Sequence, residues 1–196
     1  MAKRSRTDLR ERILDTAAAL FYRDGVRGVS VDRVASDAGV AKMTVYYHFS
    51  SKEDLVAAWL SRRDEEWMSW LEAAVERRDG DPLLGVFDAL HDWFETPDFR
   101  GCAFINAHAE LGSSSPAAAK IVSSHKCSLT EYLARLARSA GVAAPEELAR
   151  RLLLLVDGAI VTASIQGDSR AAVDARKAAT GVIAGLRDGA ARSPSA

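Results

Sequence analysis

The sequence predicts an all-α protein of about nine helices. Apolar residues recur every three to four positions along most of the chain, the spacing of one helical face. Only 5 Pro and 13 Gly punctuate its 196 residues, few of them inside the periodic stretches, which are rich in Ala, Leu, Arg, Glu and Asp. With 48% hydrophobic residues the chain has the material for a packed core.

The first helix is expected over residues 7–24, where Leu9, Ile13, Leu14, Ala17, Leu20 and Phe21 share a face and Arg10, Glu11, Arg12 and Asp15 lie largely opposite. Gly25 ends it by supplying a left-handed residue. Ser30 is an N-cap for a short second helix whose Val31, Val34, Ala35 and Ala38 fall at i, i+3, i+4 and i+7, closed by Gly39. A third helix follows over residues 41–48, with Val40, Val45 and Phe49 inward and Lys42, Met43, Thr44 and Tyr46 outward. Two short helices around a tight Gly-containing turn make a helix-turn-helix. Ser51 caps a fourth helix, with Asp54 completing a capping box and Leu55, Trp59, Trp67, Trp70 and Leu71 forming its apolar side as far as Arg78.

Asp81 and Pro82 read as N-cap and first position of a fifth helix ending near Thr96-Pro97. Further helices are expected over residues 102–111, 116–140, 145–165 and 169–190, separated by Gly112 and the serines after it, by Gly141, and by Gly167-Asp168. The tail 193–196 is expected to fray. The layout is a three-helix N-terminal domain, 1–54, joined by the long fourth helix to a helical C-terminal domain, 55–196.

Net charge is only −1, which by itself does not suggest a polyanionic partner. Its distribution is more informative. Residues 1–60 hold ten Lys/Arg against eight Asp/Glu, the remainder sixteen against nineteen, and five of the ten (Lys3, Arg4, Arg6, Arg10, Arg12) crowd the first twelve positions. Such an arm serves equally as a solvated tail or as a phosphate-binding element. No apolar stretch approaches the ~20 residues that span a bilayer, and no signal-peptide core follows the N-terminal cations, so a cytoplasmic location is expected. Cys102 and Cys127 have no metal-type spacing and are expected to be buried small hydrophobes.

The segment AGVAKMTVYYHFSSKEDL, residues 38–55, gathers what a duplex requires of a protein. Phosphate oxygens want cations, hydroxyls and amides, and base edges want side chains near the N-terminus of a helix in the major groove. Lys42 and Thr44 hold that place, Tyr46, Tyr47 and His48 flank the groove, and Lys52 adds a phosphate contact from the next helix. Phe49 is assigned to the core, and Tyr47 is expected to be partly packed.

Residues 10–60, RERILDTAAALFYRDGVRGVSVDRVASDAGVAKMTVYYHFSSKEDLVAAWL, resemble the DNA-binding domain of the TetR family of bacterial regulators over its whole length and spacing. The resemblance implies a homodimer, a recognition helix at 41–48, and a helical C-terminal domain that binds an inducer. Two departures stand out. Ala41, Lys42 and Met43 replace the family's common Ser, Lys and Gly, which weakens the cap of the third helix and leaves Met43 to touch a thymine methyl or a sugar. Ser30-Val31 stands where two hydroxyl residues are frequent, so Ser30 alone keeps the phosphate role there.

Around residues 146–165 the chain is apolar over much of the helix circumference, and the last helix sets Gly181 and Gly185 four apart beside Ala178 and Val182. Leu152, Leu155, Ile160, Ala178, Gly181, Val182 and Gly185 are therefore expected to form a dimer interface, as in the resembling family. Pocket candidates are Trp67, Trp70, Phe87, Trp93, Phe94, Phe104, Asn106, His108, Glu110, His125 and Tyr132, apolar walls with a few polar groups. The expected function is a repressor that grips palindromic double-stranded operator DNA as a homodimer and is released by a small-molecule inducer, with no cofactor, metal or membrane partner.

Three other readings stay open at this stage, one of them a DNA-binding activator, which only promoter geometry separates from a repressor. A helical enzyme would use His108, Glu110 and His125, but His108 and Glu110 do not share a helical face and no phosphate loop or nucleophile elbow appears. A redox regulator of the same fold would act through Cys102 and Cys127 and needs accessible thiols.

Overall fold

The computed structural model describes the backbone of residues 2–191 and, within that span, the side chains of residues 8–112 and 114–186. The side chains of Lys3, Arg4 and Arg6 and the tail 193–196 lie outside the described residues. Among those described, nine α-helices and one short 3-10 turn account for the regular structure. They are α1 (Ala2–Asp24), α2 (Val31–Asp37), α3 (Lys42–His48), α4 (Lys52–Glu76), α5 (Pro82–Phe94), α6 (Ala103–Leu111), α7 (Pro116–Ser139), α8 (Pro145–Gln166) and α9 (Arg170–Ala191), with the 3-10 turn at Gly112–Ser114.

Local chemistry sets these boundaries. Gly25, Gly39, Gly141 and Gly167 adopt positive φ at the ends of α1, α2, α7 and α8, where a side chain would meet its own carbonyl. Ser30 Oγ accepts from the Arg33 amide at 3.2 Å, Ser51 Oγ from the Asp54 amide at 3.0 Å, and Asp81 Oδ1 from the Leu83 amide at 2.9 Å, so α2, α4 and α5 begin where their caps predict. Ala41 makes no side-chain cap bond to α3, as the loss of serine there implies. The separator after α6 is the 3-10 turn itself, and α4 stops at Glu76, two residues short of the expected end.

The chain packs as two units, one of residues 1–66 with 102–124, the other of residues 67–101 with 125–196. In the first, Ile13, Leu14, Ala17, Leu20 and Phe21 of α1 are buried with Val34, Val45, Phe49, Leu55 and Trp59. Phe21 and Trp59 meet at 5.5 Å between ring centroids. The α6 residues Ala103, Phe104 and Ala107 are buried in this unit too. In the second, α9 packs on α8 and α5 around Leu83, Phe87, Leu90, Leu148, Leu152 and Val156, all fully enclosed. Burying each such side chain contributes about 1.5–3 kcal/mol. No helix among the described residues is long and apolar enough to cross a membrane.

Candidate nucleic-acid interface

Helix α3 is a two-turn rod pinned from behind. Val45 and the C-cap residue Phe49 are buried, and the Arg10 guanidinium of α1 lies 4.8 Å over the Phe49 ring. With Val45 inward, the helical period turns Met43 and Tyr47 to the opposite side, where they are 74% and 64% exposed. Tyr46 and Lys42 are exposed as well, while Thr44 and His48 are half-buried at the flanks. Tyr47 is thus more open than the sequence suggested and Thr44 less so. Tyr47 meets the His48 ring edge-on at 5.3 Å.

The electrostatics of this surface include an unforeseen partner. Lys42 Nζ bonds Asp32 Oδ2 of α2 at 2.9 Å. That hydrogen bond, and secondly the carboxylate charge, hold the Lys42 ammonium above its ordinary pKa. Nothing local in the sequence marks a pair ten residues apart on two different helices. Behind it, Arg33 Nη2 reaches Asp24 Oδ2 at 2.8 Å, and Asp24 is pushed below the usual carboxylate range chiefly by its bond to Arg23. Ser30 is exposed at the start of α2 and Lys52 half-buried at the start of α4.

The pocket candidates separate. Trp67, Trp70, Trp93 and His125 gather in the second unit, with Trp67 5.7 Å from Trp93 and 5.4 Å from His125. Trp67 Nε1 is buried there without a hydrogen-bond partner among the described residues. Phe87, Phe94 and Tyr132 are core of the same unit. Phe104 is instead core of the first unit, Asn106 and His108 are exposed on α6, and the half-buried Glu110 accepts a hydrogen bond from the Arg27 amide at 2.7 Å. Among the described residues no cluster of His, Cys, Asp or Glu fits a metal ion. Cys102 is buried as expected, but Cys127 is exposed, because α7 turns it away from the face that carries the buried Leu129 and Leu133.

The α8–α9 surface corrects two interface assignments. Leu152 and Ile160 are enclosed by the chain's own core at 0% and 2% exposure, and so cannot meet a second molecule. On the opposite side of α8, Leu154 and Ile165 stand 73% and 78% exposed. An open groove of about 770 Å³ runs between the two helices, lined in part by Leu154, Leu155, Gly158, Ala175 and Ala178. Gly181 and Gly185 are exposed and Val182 half-buried further along α9. Periodicity showed that α8 is apolar nearly all round but not which side its own core would take.

A helix-turn-helix with an outward-facing second helix, set in an all-α chain, is the layout of one class of DNA-binding transcription regulators. Residues 13–59 match the sequence model of the bacterial regulatory proteins of the tetR family. The structure is similar to that of a putative TetR transcriptional regulator from Streptomyces avermitilis, with a TM-score of 0.80 and 32% identity over 91% of this chain and 98% of that one. A TetR-family transcriptional regulator from Streptomyces coelicolor aligns with a TM-score of 0.83 and 29% identity over 92% and 96% of the two chains. The regulator SrpR of Pseudomonas putida is 31% identical over 86 residues, 43% of this chain and 40% of its own length. The alignments to SrpR and to the other curated regulators thus span roughly two fifths to two thirds of those proteins. The chain belongs to the TetR family of transcription regulators. Its relatives regulate transcription and are not enzymes.

Proposed function

We propose that this chain is a ligand-responsive repressor that binds palindromic operator DNA as a homodimer and lets go when a small molecule binds. Residues 1–54 read DNA and residues 55–196 bind ligand and partner, in the cytoplasm. The observation that carries this reading is the α3 surface: Lys42, Met43, Tyr46 and Tyr47 stand outward on a helix pinned by Val45 and Phe49. A rod so held offers its amino end and its hydroxyls to the edges and phosphates of a major groove.

Exposed Leu154, Val161 and Ile165, which share one side of α8, and the groove that Leu154 lines support pairing of two chains through α8 and α9. Pairing matters because two recognition helices reach successive grooves only if held ~34 Å apart. A ligand that favours a dimer of different spacing then releases DNA by the difference in its affinity for the two states. The aromatic group around Trp67, whose buried N–H has no acceptor among the described residues, is the part of the candidate pocket that best suits a ligand. The redox reading loses support from the burial of Cys102.

Gel retardation over a range of salt tests the DNA arm. Lys52→Ala is expected to weaken binding to every duplex and to lower the slope of log affinity on log salt by about one, the signature of one lost phosphate contact. Unchanged affinity and slope would move the contact surface elsewhere.

A further inference from the structure

We propose that Glu110 is a positioning residue for the DNA-reading helices: from the last turn of α6 its carboxylate closes the turn between α1 and α2 and fixes how α2 and α3 leave α1. The proposal rests on the reading of α3 as the DNA-contacting helix. It begins with the hydrogen bonds of the turn. Gly25 N donates to Phe21 O at 3.1 Å as the last bond of α1, and Ser30 opens α2, which leaves the amides between them to find acceptors elsewhere. Arg27 N finds Glu110 Oε2 at 2.7 Å, a partner 83 residues away in sequence. The acceptor is a carboxylate, which makes this one of the stronger kinds of amide bond.

Gly25 shows that the fit is close. A Cβ at this position would lie 2.9 Å from Glu110 Oε1, 3.1 Å from Oε2 and 3.2 Å from Cδ, so the carboxylate rests against the bare face of the glycine. Gly25 is favoured by its φ of 78°, and a Cβ there would also displace the Glu110 carboxylate from the turn. Residues 102–124, which include all of α6, pack in the same unit as the helix-turn-helix. Beside the latch a crevice of about 70 Å³ is lined by Val26 and Arg27 of the turn, by Lys52, Glu53 and Val56 of α4, and by Leu111 and Ser115. Breaking the bond frees the turn to shift into that space and carries α2 and α3 with it.

The test uses the full-length chain with Glu110→Ala, Glu110→Gln and Glu110→Asp, reading amide exchange of residues 26–30 and Kd for a selected duplex. In Glu110→Ala the turn should exchange about tenfold faster and Kd should rise about tenfold, the loss of one charge-assisted bond. The salt slope should stay unchanged, because no phosphate contact is removed. Glu110→Gln, whose carbonyl still accepts, should stay within about threefold of the original chain. Glu110→Asp keeps the charge but loses reach and should behave like the alanine variant, which also covers the case in which alanine prevents folding.

In a double-mutant cycle Gly25→Ala should lower Tm less in the Glu110→Ala background than alone. Wild-type exchange and wild-type Kd in Glu110→Ala would overturn the proposal, as would Glu110→Gln as impaired as alanine, or additive Tm losses in the cycle. Should the unaltered chain bind no duplex at all, the reading of α3 fails, while the exchange of the turn still decides whether the latch exists.

Discussion

Asp32 shows how one side chain can tune a surface without belonging to its contact set. Its carboxylate holds the Lys42 ammonium, so the phosphate contact proposed for Lys42 would exchange one anion for another. The pair is solvent-exposed and adds little to folding stability. Its effect falls on binding. Asp32→Asn frees Lys42 and removes a like charge from the phosphate surface. Affinity for unrelated duplex should rise, the salt slope should steepen by about one, and the ratio of specific to non-specific binding should fall. Binding to unrelated DNA that does not change would remove Asp32 from the account. Tyr132 makes a prediction of a different kind. Burial, first, and the neighbouring Glu72 charge push its phenol from 10.0 up to about 12. The folded state then holds the proton more tightly than the unfolded chain, so this contribution to stability is complete below about pH 10 and is lost as pH rises towards 12. Thermal unfolding followed between pH 9 and 12 should show a fall that Tyr132→Phe flattens.

At the level of elements, α8 presents an apolar stripe of Leu154, Val161 and Ile165 that the chain itself does not cover, and Leu154 is its most open residue after Ile165. Leu154→Glu leaves the enclosed face of α8 untouched but sets a carboxylate in the proposed junction. Sedimentation should find a monomer of normal helix content, with operator affinity reduced because two half-sites no longer act together. A dimer of unchanged strength would place the interface on other helices. The elements are also where the sequence was most legible, because the signals that fix them are local. Ser30, Ser51 and Asp81 cap from two or three residues away, Gly25 and Gly39 end the helices they follow, and Val45 and Phe49 follow helical spacing into the core. What lay hidden depends on packing between distant segments. The side of α8 that faces the core is chosen by α5 and α9, which moved Leu152 and Ile160 inward and left Leu154 outside. Asp32 reaches Lys42 across a turn, and Glu110 meets Arg27 across 83 residues, so no spacing rule relates either pair. Glu110, read from sequence as a polar pocket residue, spends its carboxylate on a turn of the DNA-reading unit.

For the whole molecule, the sequence resemblance to the TetR family rested on residues 10–60, and likeness to solved regulators extends it over nearly the entire chain. The composition could not have shown this, since a net charge of −1 hides an N-terminal part richer in cations than the rest. Operator and ligand were not legible for a physical reason. In the proposed reading, base preference depends on how Met43 and Tyr46 would meet a groove whose edges vary, and ligand choice on shape among aromatics that sequence cannot position. The claim on which the account turns is that paired α3 helices lie in successive major grooves of one duplex. Selection of bound duplexes from a random pool measures it most directly. The account predicts enrichment of an inverted repeat whose half-sites are centred about one helical turn apart, ~34 Å, or a multiple of it. Recovery of no common sequence, or of a single unrepeated site bound by one chain, would contradict it.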